Sequence, residues 1–172
     1  MTINYTPKPG DAVFARTSNF YGALIRFGQA LRWWKFRLWN HMAIVDSVDP
    51  DGTVWVIQMS KHCVRIKLQD VAPKGHVKII SAPDDVNREM AIRWANKQLG
   101  TEYGILTIIS IAINLILPNP IRFDIRTSDT LICSALVARA WEHGGWDCLT
   151  DPFQITPAEF DGALGGGGEQ IY

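Results

Sequence analysis

The sequence predicts an α+β protein in which an antiparallel sheet packs against helices. Several short runs rich in β-branched and aromatic residues are separated by turn residues, and other segments repeat apolar residues at helical spacing. A chain of 172 residues usually makes one domain with a substantial core. We therefore expect a single domain over residues 1–164 and a flexible glycine-rich tail over residues 165–172.

Five runs have the composition of strands and are taken in chain order: residues 12–16, 41–48, 53–59, 64–68 and 77–81. The second and third runs flank the sequence Asp-Pro-Asp-Gly at residues 49–52. Pro50 fixes one backbone dihedral of a turn and Gly52 tolerates a positive φ, so we expect these two strands to form a hairpin.

Four segments are predicted to be helical: residues 20–31, a segment from Asp84 or Asp85 to about residue 99, residues 105–117, and residues 133–143. Gly100 is expected to end the second helix, and Gly144 with Gly145 the fourth. The apolar run 105–117 stops at a proline before reaching the roughly 20 residues that cross a bilayer. A buried helix is the expectation there, and a lid helix over a lipid substrate is the alternative.

Cys133 stands at the start of a predicted helix, and His41 at the start of a predicted strand. A thiol becomes a strong nucleophile when a helix N-terminus and an imidazolium stabilise its thiolate. Each residue alone also has a structural interpretation, because free cysteines are often buried and a histidine at a strand start is often only hydrogen-bonded. Together they indicate a cysteine hydrolase.

Short motifs around these two residues occur in the order of a known family, over residues 10–16, 20–26, 40–45, 56–59 and 133–137. With them the chain resembles the circularly permuted branch of the NlpC-type papain-like hydrolases, from about residue 9 to residue 160. The histidine precedes the cysteine in that branch, as it does here. The resemblance implies a permuted papain-like fold, with Cys133 as nucleophile and His41 as general base and acid.

The third catalytic position departs from that family, whose permuted members commonly carry a glutamate on the strand after the histidine strand. The matching residue here is Gln58, which can orient an imidazole through a hydrogen bond but cannot stabilise its positive charge as a carboxylate does. His62 is the rival. Gln58 is preferred because strand alternation fixes its face, whereas His62 lies beyond a turn.

Substrate contacts are expected from a basic, tryptophan-rich segment just before His41, at Trp33, Trp34 and Trp39. Tryptophan can stack on sugar rings, and the neighbouring basic groups can meet carboxylates or phosphates. The alternative is that these rings cover the core.

Composition excludes several classes of function. The formal charge is zero, so no overall field favours nucleic acid as a partner. Three scattered cysteines make no disulfide framework, and neither a metal site nor a cofactor is expected because no known ligand spacing organises the His and Cys residues. The first residues lack the pattern of a secretory signal, which predicts a cytoplasmic location, with phage delivery or lysis as other routes.

The expected function is cleavage of an amide bond in a peptidoglycan stem peptide or related peptide, through an acyl-enzyme; the resemblance alone implies this substrate. One alternative is a lipid or thioester acyl hydrolase or acyltransferase of the lecithin-retinol-acyltransferase type, which would allow peripheral contact with a membrane but needs no transmembrane segment. The other is a catalytically inactive binding module on the same fold. The oligomeric state is not encoded in any motif.

Overall fold

The computed structural model describes residues 5–17, 38–72, 76–104, 130–147, 151–153, 155–165 and 169–171. The predictions for residues 20–31, Trp33, Trp34, residues 105–117 and Cys148 lie outside these ranges.

The described chain is an α+β structure built on a six-stranded antiparallel sheet. The predicted α+β class is thus confirmed. Its strands are β1 (Ala12–Ala15), β2 (His41–Val48), β3 (Val54–Met59), β4 (Cys63–Lys67), β5 (Val77–Ile80) and β8 (Glu169–Ile171). The strand order is β4-β3-β2-β1-β5-β8, with each neighbouring pair antiparallel. A separate short parallel pair joins β6 (Glu102–Tyr103) to β7 (Thr130–Leu131).

The hairpin between β2 and β3 forms over the predicted turn. The N–H of Gly52 donates to the carbonyl of Asp49 at 2.9 Å, and Gly52 has a φ of 85°. A positive φ carries no Cβ penalty in glycine, so this residue lets the chain reverse.

Both faces of the sheet are covered, and strand alternation sorts the apolar residues into two clusters. The larger cluster includes Phe14, Met42, Ile44 and Ile57, and it contains the buried residues of the helix that begins at Cys133. The smaller cluster lies on the other face and includes Val13, Ala43, Val45 and Val56. Burial on both faces explains why the strands read as nearly continuous apolar runs.

Four helices accompany the sheet in the described part of the chain: α1 (Leu68–Val71), α2 (Arg88–Lys97), α3 (Cys133–His143) and α4 (Pro157–Ala163). Helix α3 ends at Gly144 as predicted, and Gly145 follows with a φ of 100°. The N-cap of α2 differs from the prediction. Asn87 caps it by accepting from the N–H of Met90, because Asp84 and Asp85 lie in the preceding turn.

Part of the tail that was expected to be flexible over residues 165–172 takes part in the sheet. Residues Glu169–Ile171 form β8 and pair with β5. Ladder hydrogen bonds involve only backbone groups, so the open edge of β5 can take up a strand that has no apolar pattern of its own.

None of the helices described here is both long and apolar enough to cross a membrane.

Candidate active site

His41 is placed by the first residue pair of β2, opposite Ala15 of β1. The residue before it, Asn40, is buried and fixes the entry of the strand. Its side chain accepts from the N–H of Thr17 at 2.8 Å and donates back to the Thr17 carbonyl at 3.1 Å. These two hydrogen bonds between Asn40 and Thr17, which are 23 positions apart, therefore hold the backbone just before His41.

Gln58 reaches His41 from the neighbouring strand. Gln58 lies on β3 and pairs with Ala43 of β2. It therefore shares a sheet face with Ala43 and is a diagonal neighbour of His41. The Nε2 of His41 donates to Oε1 of Gln58 at 2.5 Å. This bond occupies Nε2 and leaves Nδ1 as the second ring nitrogen, and it is the contact that the sequence predicts for Gln58.

Cys133 is the first residue of α3, and it is 5% exposed. The first hydrogen bond of the helix runs from the N–H of Leu136 to the carbonyl of Ile132 at 3.0 Å. The N–H groups of Cys133, Ser134 and Ala135 therefore precede the helical ladder and point toward the end where the thiol lies. Ile132, the N-cap, offers them no side-chain hydrogen bond.

The Cys133 thiol and the His41 imidazole act on each other's ionisation. Burial would raise the pKa of the thiol, but the hydrogen bond and positive charge of His41 lower it below the ordinary cysteine value, helped by the N–H groups of Met42 and Ser134. Burial would lower the pKa of His41, but the hydrogen bond and charge of Cys133, with the bond to Gln58, raise it. Opposite shifts of this kind favour a thiolate–imidazolium pair near neutral pH.

Tyr103 is a site residue that sequence analysis missed. It lies on β6, pairs with Leu131 on β7, and so stands beside the segment that leads into Cys133. Burial, the negative charge of Cys133 and a hydrogen bond to it raise the pKa of Tyr103 far above the ordinary value. No sequence signal marks Tyr103, because the contact joins residues that are 30 positions apart.

The rival third residue, His62, does not take the orienting position. It is exposed and forms an isolated bridge with Glu102, while Gln58 makes the contact with His41.

The proposed role of Trp39 in substrate binding requires correction. Trp39 is 2% exposed, and its ring lies 6.4 Å from that of Phe14 in the larger core cluster. Burial of a large aromatic ring is energetically favourable. Trp39 therefore packs in the core, which is the alternative that the sequence analysis gave for the three tryptophans.

No group of three or more His, Cys, Asp or Glu side chains in the described ranges is arranged to hold a metal ion.

The comparisons with known proteins concern mainly the fold. Neither the protein-family models nor the curated proteins contain a match. Among solved structures, the chain is similar to the crystal structure of the metalloprotein YiiX from Escherichia coli O157:H7, with a TM-score of 0.56 and 15% identity. The alignment covers 97% of this chain and 89% of that one. At this identity the similarity shows a shared fold and nothing about activity.

Proposed function

We propose that the chain is a cysteine hydrolase with a permuted papain-like, NlpC-type fold, in which Cys133 is the nucleophile and His41 the general base and acid. The observation that carries this proposal is the 2.5 Å hydrogen bond between His41 and Gln58, together with the opposite pKa shifts that Cys133, at the start of α3, and His41 impose on each other. A nucleophile, a base in contact with it and a group that orients the base are the parts that covalent acyl transfer requires.

In the resting enzyme the proton of the thiol resides on Nδ1 of His41. The thiolate accepts hydrogen bonds from His41, Tyr103 and the backbone N–H groups of Met42 and Ser134. These donors stabilise the charge in a site from which water is largely excluded, so the nucleophile is available before substrate arrives.

Acylation begins when the thiolate attacks the substrate carbonyl carbon and the carbonyl oxygen takes the electron pair. The backbone N–H of Cys133 at the start of α3 stabilises this oxyanion. The tetrahedral intermediate then collapses, the bond to the leaving group breaks, and the His41 imidazolium gives its proton to the departing amine.

Deacylation uses the same groups in reverse roles. Neutral His41 takes a proton from water as the water attacks the thioester carbonyl. Collapse of the second intermediate releases the carboxylic acid product and returns the thiolate beside the imidazolium. Gln58 holds the ring in one orientation through both stages.

The substrate that we propose is an amide bond in a peptidoglycan stem peptide or related peptide. Its support is the sequence resemblance to the permuted NlpC-type hydrolases, because the Cys–His geometry serves amides, esters and thioesters alike.

The chemistry is tested without a substrate by following iodoacetamide alkylation of each cysteine against pH, read by peptide mass spectrometry. Cys133 is expected to react below pH 7 and to lose this reactivity in His41→Ala. Cys63 is the internal reference, because burial raises its pKa to about 11. Ordinary behaviour of Cys133 in both proteins would refute the hydrolase.

Turnover then decides the substrate class. Release of new amines from muropeptides by the native chain, absent in Cys133→Ala, is the expected result. Release of fatty acid from lipid esters, with muropeptides intact, would replace the peptidase with the lipid hydrolase.

A further inference from the structure

The first turn of α3 is held by tertiary contacts rather than by a local cap. Its N-cap, Ile132, has an aliphatic side chain that cannot accept a hydrogen bond. The direction of the N–H groups around the thiol therefore depends on what else fixes residues 133–135.

Ser134 makes such a contact. Its Oγ donates to the carbonyl of Ile155 at 2.5 Å, and both residues are at least 98% buried. A buried serine hydroxyl with a definite partner is ordered, because losing the bond would leave an unsatisfied polar group away from water. The backbone N–H of the same residue lies in the first turn, ahead of the helical hydrogen-bond ladder, and it is among the groups that lower the pKa of the Cys133 thiol.

Ile155 is itself firmly placed. It precedes Thr156, whose side chain accepts from the N–H of Glu159 at 3.2 Å while the Glu159 carboxylate accepts from the N–H of Thr156 at 2.8 Å. Phe160 of the same helix packs with ring centroids 6.0 Å from Phe14 and 5.3 Å from Trp141. The carbonyl that receives the Ser134 hydroxyl thus belongs to a segment anchored on the core.

We propose that Ser134 is a positioning residue for the nucleophile: its hydroxyl, held by the Ile155 carbonyl, sets the first turn of α3 so that the Ser134 N–H is directed at the Cys133 sulfur. This inference rests on the proposed function and deepens it. The segment that precedes α4 then contributes to the reactivity of Cys133 through its hydrogen bond with Ser134. The titratable groups that act on the sulfur are His41 on β2 and Tyr103 on β6.

The test compares alkylation of Cys133 against pH in the native chain and in Ser134→Ala, at a temperature where both have native circular dichroism. Ser134→Ala keeps the backbone N–H but removes the bond from Oγ to the Ile155 carbonyl that is proposed to direct it. If the N–H then no longer reaches the thiolate, a hydrogen bond to a charged acceptor is lost, and the rate at pH 6 is expected to fall by about tenfold. The midpoint of the profile should shift to higher pH, a change that mere loosening of the fold would not produce.

Asn87→Ala is the matched control, because it removes a helix-capping side chain from α2 and leaves the first turn of α3 intact. It should lower the melting temperature without moving the Cys133 profile. Should Ser134→Ala fail to fold, Ser134→Thr and Ser134→Val form a pair of nearly equal volume that differs by the hydroxyl, and only Thr should retain the low midpoint.

Two failures are distinguishable. A native chain whose Cys133 titrates as an ordinary thiol would overturn the hydrolase itself. A native chain with a low midpoint that Ser134→Ala or Ser134→Val keeps unchanged would overturn only the positioning role.

Discussion

At the scale of single residues, the site depends on which polar groups surround one sulfur and one imidazole. His41 and Cys133 have pKa values displaced in opposite directions, His41 upward and Cys133 downward. The downward shift extends the thiolate of Cys133 to lower pH, and the upward shift extends the imidazolium of His41 to higher pH. In the proposed ion pair, the thiolate is lost as the pH falls through the Cys133 pKa, and the imidazolium is lost as the pH rises through the His41 pKa.

The role of Gln58 predicts opposite results for two substitutions. Gln58→Ala removes the acceptor of the His41 Nε2 proton, and the alkylation rate of Cys133 at pH 6 is expected to fall by about tenfold. Gln58→Glu places a carboxylate there, which should move the upper limit of the active pH range upward by about one unit or more. If the alanine variant keeps the native profile, Gln58 does not orient His41.

Tyr103 gives a second prediction about the thiolate. Tyr103→Phe removes one donor from the sulfur, and the pKa of Cys133 should rise by about one unit, as expected for a hydrogen bond of about 1.5 kcal/mol to a charged acceptor. The measurement is the midpoint of alkylation against pH. Tyr5→Phe is the control, since its hydroxyl donates to Asp11 at 2.9 Å; an equal shift in both variants would contradict the role of Tyr103.

At the scale of elements, helix ends determine where the chemistry lies. Helix α3 has no side-chain N-cap, and its first turn carries the nucleophile. Helix α4 is instead closed by a full capping box, with Pro157 at its first position. The capped helix α4 thus stabilises the segment that contains Ile155, and the Ile155 carbonyl accepts a hydrogen bond from Ser134 in the first turn of α3.

The capping box predicts a stability effect. Thr156→Ala is expected to lower the free energy of unfolding by about 1 kcal/mol, because the N–H of Glu159 loses its acceptor. Urea denaturation followed by tryptophan fluorescence measures the change. Thr156→Ser keeps the hydroxyl and should lose much less; equal losses for the two variants would mean that the methyl group, not the cap, matters.

At the scale of the whole molecule, a buried ion pair joins the sheet to α4. Lys78 on β5 donates from Nζ to Oδ1 of Asp161 at 2.5 Å, with side chains 2% and 5% exposed. Such a pair is costly to break because the remaining charge has no route to water.

Lys78→Met is therefore expected to cost about 3–5 kcal/mol of unfolding free energy. The double variant Lys78→Met with Asp161→Leu should recover much of that loss, since both charges are gone. Denaturant unfolding of the native chain, the two single variants and the double variant forms a complete cycle. Additive losses would show that the two residues do not interact energetically.

Much of the fold is encoded locally. Apolar runs of strand length and the turn at Gly52 predicted the β2–β3 hairpin, and Gly144 with Gly145 predicted the end of α3. Local pattern did not predict β8, because an edge strand is selected by the open backbone groups of its neighbour rather than by its own side chains.

The sequence by itself determined the α+β class, the position of Cys133 at the start of a helix and the position of Gln58 on the strand beside His41, because each depends on residues close together along the chain. Only the tertiary structure decided that Tyr103 and the N–H of Met42 meet the sulfur, that Trp39 belongs to the core and that Ser134 bonds to Ile155. These contacts join distant segments. Which distant groups meet is fixed by packing of the whole chain, and no spacing in the sequence records it.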